Sequence, residues 1–386
     1  MYLKNFGYQL PTRILYGIGK INELLKEVNK FKTEKALIIT DNNLASTWII
    51  KKIKDLLCTN IEIEVLSNVV PNPTLSVIEE GIDFVKKFQP DVLLAIGGGS
   101  TMDAAKVIDI MLTNDGKISD YEKDNVLKNN KKLPLIAIPT TAGTGSEVTH
   151  VAVITDEKRK HKFAIADFLI SPDLALLDPE LTVTMPPKIT AETGYDALAH
   201  ALESYVSPNA NHLSDSFSIY SIELISNNLR EAVGNGENIE ARSNMLLASM
   251  IAGLGFVHVG CGMGHGMGHT LSAFYNLGHG ETLGMLLPYV TEYNIISNPR
   301  KYANITKLMG ENISGLSQIE AAKKAVHVLK SLAKDIGIQP LKNSPIKEGD
   351  ISQLSIEASK DPCLGFNPRK LSIKEIEYIY KMALKD

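Results

Sequence analysis

Asp196 and His200 stand four residues apart in an apolar, helix-forming run, and His265, His269 and His279 follow in a glycine-laced stretch. Four of the chain's nine histidines therefore gather with one carboxylate. Four residues is about one helical turn, so Asp196 and His200 project from one face, and an oxygen donor with two or three imidazoles suits Fe(II), Zn, Mn or Co. Burying such a carboxylate alone would cost several kcal/mol, whereas a divalent cation compensates it. His265 and His269 repeat the one-turn spacing, and His279 lies between Gly278 and Gly280. The glycines from Gly260 to Gly268 are poor choices for helix stability, each costing roughly 1 kcal/mol relative to alanine. Close approach of a ligand or a neighbouring helix accounts for them. His258 reads as structural or as a pocket wall, and His150, His161, His212 and His327 have no metal-binding partner in sequence.

The elements that must position these residues fall into two halves. Lys35–Thr40, Ile61–Leu66, Asp91–Ile96 and Leu133–Pro139 are β-rich runs, separated by Leu44–Leu57, Leu75–Phe88 and Met102–Leu112 with helical spacing. That alternation predicts a parallel sheet with helices on both faces. Val148–Ile165 reads as a hairpin added to the sheet, turning at Asp156–Arg159, and Leu174–Leu177 as a last short strand. After Met185 the strand signals fade into long helical periodicity punctuated by Pro208, Gly234, Gly236, Pro288, Pro299 and Pro340. The expected domains are 1–185, an α/β nucleotide-binding unit, and 186–386, an all-helical unit carrying the metal candidates. A site between the two, nucleotide on one wall and metal on the other, is the natural expectation.

Two polar loops bear on the nucleotide. Gly97-Gly98-Gly99-Ser100 occupies a strand-to-helix turn, where bare backbone N–H groups and the helix dipole favour a pyrophosphate. An ordinary tight turn is the alternative. Thr140-Thr141-Ala142-Gly143-Thr144-Gly145-Ser146 follows the next strand and supplies hydroxyls at the same sheet edge. Asp41 ends an earlier strand, where its carboxylate either accepts bonds from ribose hydroxyls and repels a 2′-phosphate, favouring NAD, or simply caps a helix.

Composition narrows the classes. Hydrophobic residues at 44% and charged residues at 22% fit a globular protein, and the net charge of −4 gives no basic footprint for nucleic acid. No run reaches the ~18 apolar residues of a membrane span and no signal-peptide pattern opens the chain, so a cytoplasmic protein without a membrane partner is expected. Cys58, Cys261 and Cys363 are widely spaced and form no CxxC pair, which reads as reduced thiols.

Taken together, these residues make the chain resemble the iron-containing, group III, alcohol dehydrogenases nearly end to end. The likeness runs through Leu10–Ile14, Val70–Pro73, Gly97–Ser100 with Asp103 and Lys106, and Pro139–Glu147, then Glu192–His200, Gly264–Glu281 and Asn367–Arg369. The resemblance implies a dehydroquinate synthase-like two-domain fold, with Asp196, His200, His265 and His279 as metal ligands and His269 near the metal without binding it. By the same resemblance Asp41, Asn72, Gly98, Gly99, Ser100, Thr140, Thr141, Thr144, Lys162 and Leu181 line the NAD site. Gly264 and Gly268 stand where relatives often carry larger side chains, and Cys261 falls in the segment expected to shape the substrate pocket.

The implied activity is NAD(H)-linked dehydrogenation of small primary alcohols or diols, and the reverse aldehyde reduction, with Fe(II) or Zn(II) polarising the oxygen and His269 relaying a proton or orienting a ligand. A homodimer or larger homo-oligomer is expected. Two other classes stay open: a metal-dependent lyase of the dehydroquinate synthase type, which would call for basic residues absent from Gly253–Gly280, and a non-catalytic NAD-binding module, which has little need of the metal cluster.

Overall fold

The structure, a computed structural model, describes residues 5–58, 60–122, 127, 129, 133–159 and 161–386. The chain forms two compact units: Gln9–Thr141 with Gly145–Thr184, and Met185–Asp386 joined by the turn Ala142–Thr144 and an N-terminal segment ending at Tyr8.

The first unit is an α/β layer structure. Its strands are β1 (Arg13–Tyr16), β2 (Lys35–Asp41), β3 (Glu62–Val69), β4 (Val92–Gly97), β5 (Leu135–Pro139), β6 (Val151–Asp156), β7 (His161–Ala166) and β8 (Leu174–Leu177). Six of them pair in parallel in the order β1-β8-β5-β4-β2-β3. Strands β4, β5 and β8 are buried along their whole length, which is why they read as unbroken apolar runs. The side-chain period of two then splits the core. Leu37, Ile39, Leu93 and Ala95 pack on one face, and Ala36, Ile38, Val92, Leu94 and Ile96 on the other. Because β2 lies between β3 and β4, the chain reverses its direction of travel across the sheet there. Asp41 and Gly97 end the two strands beside that reversal, the place where open α/β sheets bind ligands.

Three details depart from the sequence reading. Strand β1 was not anticipated: it is four residues long, pairs only with β8 among the described residues and is not fully buried, so it leaves no alternation to detect. The hairpin of β6 and β7 is present, but it forms a two-stranded sheet of its own rather than extending the six-stranded one. The segment expected as one helix from Leu44 is divided, Asn42–Ala45 and then Trp48–Leu57.

The second unit is helical. Its longer helices include Pro187–Val206, His212–Gly234, Ile239–Phe256, Met263–Tyr275, His279–Asn294 and Gln318–Asp335. Asn211 and Ser317 open two of them with capping boxes, satisfying end N–H groups. Pro299 begins the helix Pro299–Leu308, as its fixed φ favours, but Pro288 ends nothing and sits inside His279–Asn294. The Pro187 helix is buried at nearly every position from Thr190 to Val206, so its polar side chains must find partners inside the protein. Among the described residues no helix is long and apolar enough to cross a membrane.

Candidate metal centre

Three helices of the second unit converge on Asp196. The Pro187 helix carries Asp196 and His200, Met263–Tyr275 carries His265 and His269, and His279 opens the helix that follows. Asp196 Oδ1 lies 3.5 Å from His200 Nδ1, 3.6 Å from His265 Nε2 and 3.6 Å from His279 Nε2. Asp196 Oδ1, His200 Nδ1 and His265 Nε2 are buried and make no hydrogen bond among the described residues. Donor atoms about 2.1 Å from one ion stand roughly 3.0–3.4 Å apart, so this spacing, too long for hydrogen bonds, is close to that of a shared coordination shell. The four sequence-predicted ligands thus come together, and their chemistry fits a divalent cation.

The charges agree. Burial alone would raise the Asp196 carboxyl, but His200, His265 and His279 hold it below the ordinary carboxylate range. Burial lowers His200 to about 4, which keeps its imidazole neutral and able to ligate near neutral pH. Burial also disfavours a charged His265, yet Cys261, Asp196 and Glu203 together raise it well above the ordinary histidine value.

Sequence reading missed two carboxylates. Glu203, buried on the Pro187 helix, accepts a hydrogen bond of 2.6 Å from His265 Nδ1, fixing the ring so that Nε2 faces Asp196. Glu203 also accepts from the backbone N–H of Gly262 at 2.8 Å and of Gly264 at 2.6 Å. Its sequence signal was its place, seven residues after Asp196 and three after His200, on the same helical face. Asp361 holds His269 Nδ1 at 2.9 Å, and the His269 ring stacks on His279 with centroids 5.0 Å apart. Burial pushes the Asp361 carboxyl up, but the charge and hydrogen bond of His269 bring it below the ordinary range.

The glycines now have reasons. A Cβ on Gly264 would stand 2.6 Å from Glu203 Oε1, and one on Gly266 would stand 2.4 Å from Leu364 Cδ1. On Gly280 it would meet the Glu192 carbonyl oxygen at 1.9 Å. His258, by contrast, lies tilted against the Tyr8 ring with centroids 4.3 Å apart.

In the first unit, the two polar loops lie side by side. Thr140 N–H donates to Gly97 O at 3.0 Å, and a Cβ on Gly98 would stand 3.2 Å from Thr141 Oγ1. Ser146 Oγ donates to Asp103 Oδ1 at 2.6 Å and accepts from the buried Lys106 Nζ at 2.7 Å, tying the loops to the helix Gly99–Ile110. Asn72, in a left-handed conformation with φ 56°, donates from its N–H to Ser100 Oγ at 3.2 Å and accepts from Lys162 Nζ at 2.7 Å. Gly99 opens the helix after β4. Asp41 Oδ1 caps the short helix Asn42–Ala45, accepting from Asn43 N and Leu44 N. Leu181 is buried in the core on one face of the sheet, and Thr144 falls in the turn that groups with the helical unit.

A family model described as iron-containing alcohol dehydrogenase matches residues 11–179, and one described as the C-terminal domain of the Fe-containing alcohol dehydrogenase family matches residues 190–384. The chain belongs to the iron-containing alcohol dehydrogenase family. It is 38% identical to the NAD-dependent methanol dehydrogenase of Bacillus methanolicus, over 98% of this chain and 100% of that one. It is also 38% identical to the lactaldehyde reductase of Escherichia coli (strain K12), over 95% and 97%. A crystal structure of 1,3-propanediol oxidoreductase superposes with a TM-score of 0.95 at 38% identity, covering 98% of this chain and 100% of that one. This family member keeps the parallel six-stranded sheet and the helical unit of its structural relatives.

Proposed function

We propose that this family member is an NAD(H)-dependent dehydrogenase of small primary alcohols or diols that also reduces the matching aldehydes. The observation that carries the reading is Asp196 Oδ1 ringed by three imidazole nitrogens at 3.5–3.6 Å. Asp196, His200, His265 and His279 would hold the cation, Fe(II) by family and Zn(II) by the affinity order of divalent metals. A bound cation would supply Lewis acidity at the alcohol or carbonyl oxygen, and a bound nicotinamide would supply a hydride acceptor or donor. The protein's part is to orient and to move a proton. Glu203 fixes the His265 ring through Nδ1, and Gly98, Gly99, Ser100, Thr140, Thr141 and Thr144 present backbone and hydroxyl donors for the dinucleotide. Asn72 and Lys162, already bonded to one another, would bind it with Ser100, and Leu181 would supply apolar backing. Asp41 keeps a carboxylate at the end of β2, which selects NAD over its 2′-phosphorylated form.

Anaerobic protein loaded with Fe(II) is expected to reduce NAD with short primary alcohols or diols, to lose that turnover on chelation and to regain it on adding metal. NADH absorbance measures it. Turnover that survives complete chelation would remove the metal's role, and failure to reduce NAD across the alcohol series would remove the dehydrogenase reading.

His269, partly exposed and held by Asp361, is the proton-carrying residue of this proposal. His269→Ala is expected to lower turnover by roughly a hundredfold near neutral pH while leaving bound metal unchanged. Full turnover with an unaltered pH profile would end the relay role. We also infer a cytoplasmic homodimer or larger homo-oligomer: the three free cysteines suit a reducing compartment, and Phe6, Ile18 and Ile296 are exposed apolar side chains. Light scattering on the same preparation gives the mass, and a monomer would refute the assembly.

A further inference from the structure

Cys261 sits between two fixed points. Gly260 before it adopts φ 78°, and a Cβ there would strike the Phe366 ring at 2.4 Å. Gly262 after it donates its N–H to Glu203. Main chain held on both sides leaves the thiol little choice of position, and it is buried at 7% exposure. Its Sγ lies within 4.8 Å of a ring nitrogen of His200 and of His265, and those two nitrogens lie within the same distance of each other. One ring nitrogen of each histidine, His200 Nδ1 and His265 Nε2, is buried without a hydrogen-bond partner among the described residues. The two imidazoles and the neighbouring thiol form a second donor set that shares both histidines with the Asp196 centre.

We propose that Cys261 is a metal ligand of this chain, adding a thiolate to His200 and His265 and biasing the centre toward thiophilic divalent ions such as Zn(II) and Co(II). The proposal rests on the metal centre argued above and adds a sulfur donor to it. On binding, the S–H bond breaks, the proton passes to solvent and a sulfur lone pair forms the bond to the cation, with no change of oxidation state. Carboxylate and imidazole serve Fe(II) and Zn(II) alike, whereas thiolate is a soft donor that favours Zn(II). Cys363 groups instead with His269 and Asp361, so it is the natural comparison thiol.

Full-length protein stripped of metal and titrated with Co(II) gives the test. Wild type is expected to show visible d–d bands from stoichiometric cobalt together with a near-ultraviolet sulfur-to-cobalt charge-transfer band. Cys261→Ser is expected to keep the d–d bands and lose the charge-transfer band, while Cys363→Ser keeps both. Competition with a chromophoric chelator is expected to show Zn(II) held at least about tenfold less tightly by Cys261→Ser, with Fe(II) affinity much less affected. Cobalt bound without a charge-transfer band in wild type, or the band persisting in Cys261→Ser, overturns the sulfur ligand and leaves the Asp196 centre standing. Failure of wild type to take up any cobalt overturns both.

Discussion

Asp196→Asn is expected to lose its metal during desalting and to fall at least about a thousandfold in turnover, equivalent to roughly 4 kcal/mol of lost transition-state stabilisation. The amide nearly copies the carboxylate in shape but removes the negative charge. Histidine ligates a metal as neutral imidazole, so Asp196 is the anion that His200, His265 and His279 share, with its Oδ1 within 3.6 Å of a nitrogen on each. A buried dication that loses this carboxylate has much less to offset its desolvation. The fold should fare differently. Asp196 Oδ1 makes no hydrogen bond among the described residues, but the three histidines favour its ionised form, so neutralising it removes an attraction rather than a contact. The metal-free variant is therefore expected to melt somewhat below metal-free wild type near neutral pH. Wild type should gain thermal stability as Fe(II) or Zn(II) is added, by mass action, and the variant should not. Elemental analysis, a melting series across metal concentration and NADH production measure the three effects. A variant that retained stoichiometric metal and normal turnover would show that Asp196 is not a ligand.

What the sequence disclosed, and what it withheld, follows the range over which each signal acts. The alternation of apolar strands with amphipathic helices is local, and it predicted the parallel sheet because β4, β5 and β8 are buried on both faces and must be apolar throughout. The pair Asp196 and His200 is local too, one turn of one helix. Glu203 lay in view on that same helix, but its meaning came only when Gly262 and Gly264 arrived with their N–H groups some sixty residues later in the chain. Asp361 gave no signal at all, since its partner His269 is 92 residues away and nothing in its neighbourhood distinguishes it from a capping residue. It does cap, accepting from Cys363 N, so one carboxylate serves both uses. Asp41 shows the same double character, being both a helix cap and the end of the strand beside the sheet's reversal. Pro288 misled in the other direction, because a proline's local preference was overruled by a helix buried along most of its length.

Gly280→Ala is expected to be the most damaging single-methyl change near the centre. The added Cβ would lie 1.9 Å from the carbonyl oxygen of Glu192, and main chain, unlike a flexible side chain, cannot rotate out of the way. Either the start of the helix His279–Asn294 or the Pro187 helix has to move. His279 is the adjoining residue on one side of the clash, and Asp196 lies one turn beyond Glu192 on the other. Any relief therefore alters the 3.6 Å separation of His279 Nε2 and Asp196 Oδ1. Overpacking of this kind costs about 1–3 kcal/mol or more, so a fall in Tm of several degrees should accompany weaker metal binding and turnover at least about a hundredfold lower. Gly349→Ala provides the contrast: nothing lies within 4 Å of a Cβ there, and the extra methyl should leave melting temperature, metal content and turnover close to wild type. Should Gly280→Ala bind metal and turn over as wild type does, the close crossing of these two helices would not be what sets the distance between Asp196 and His279.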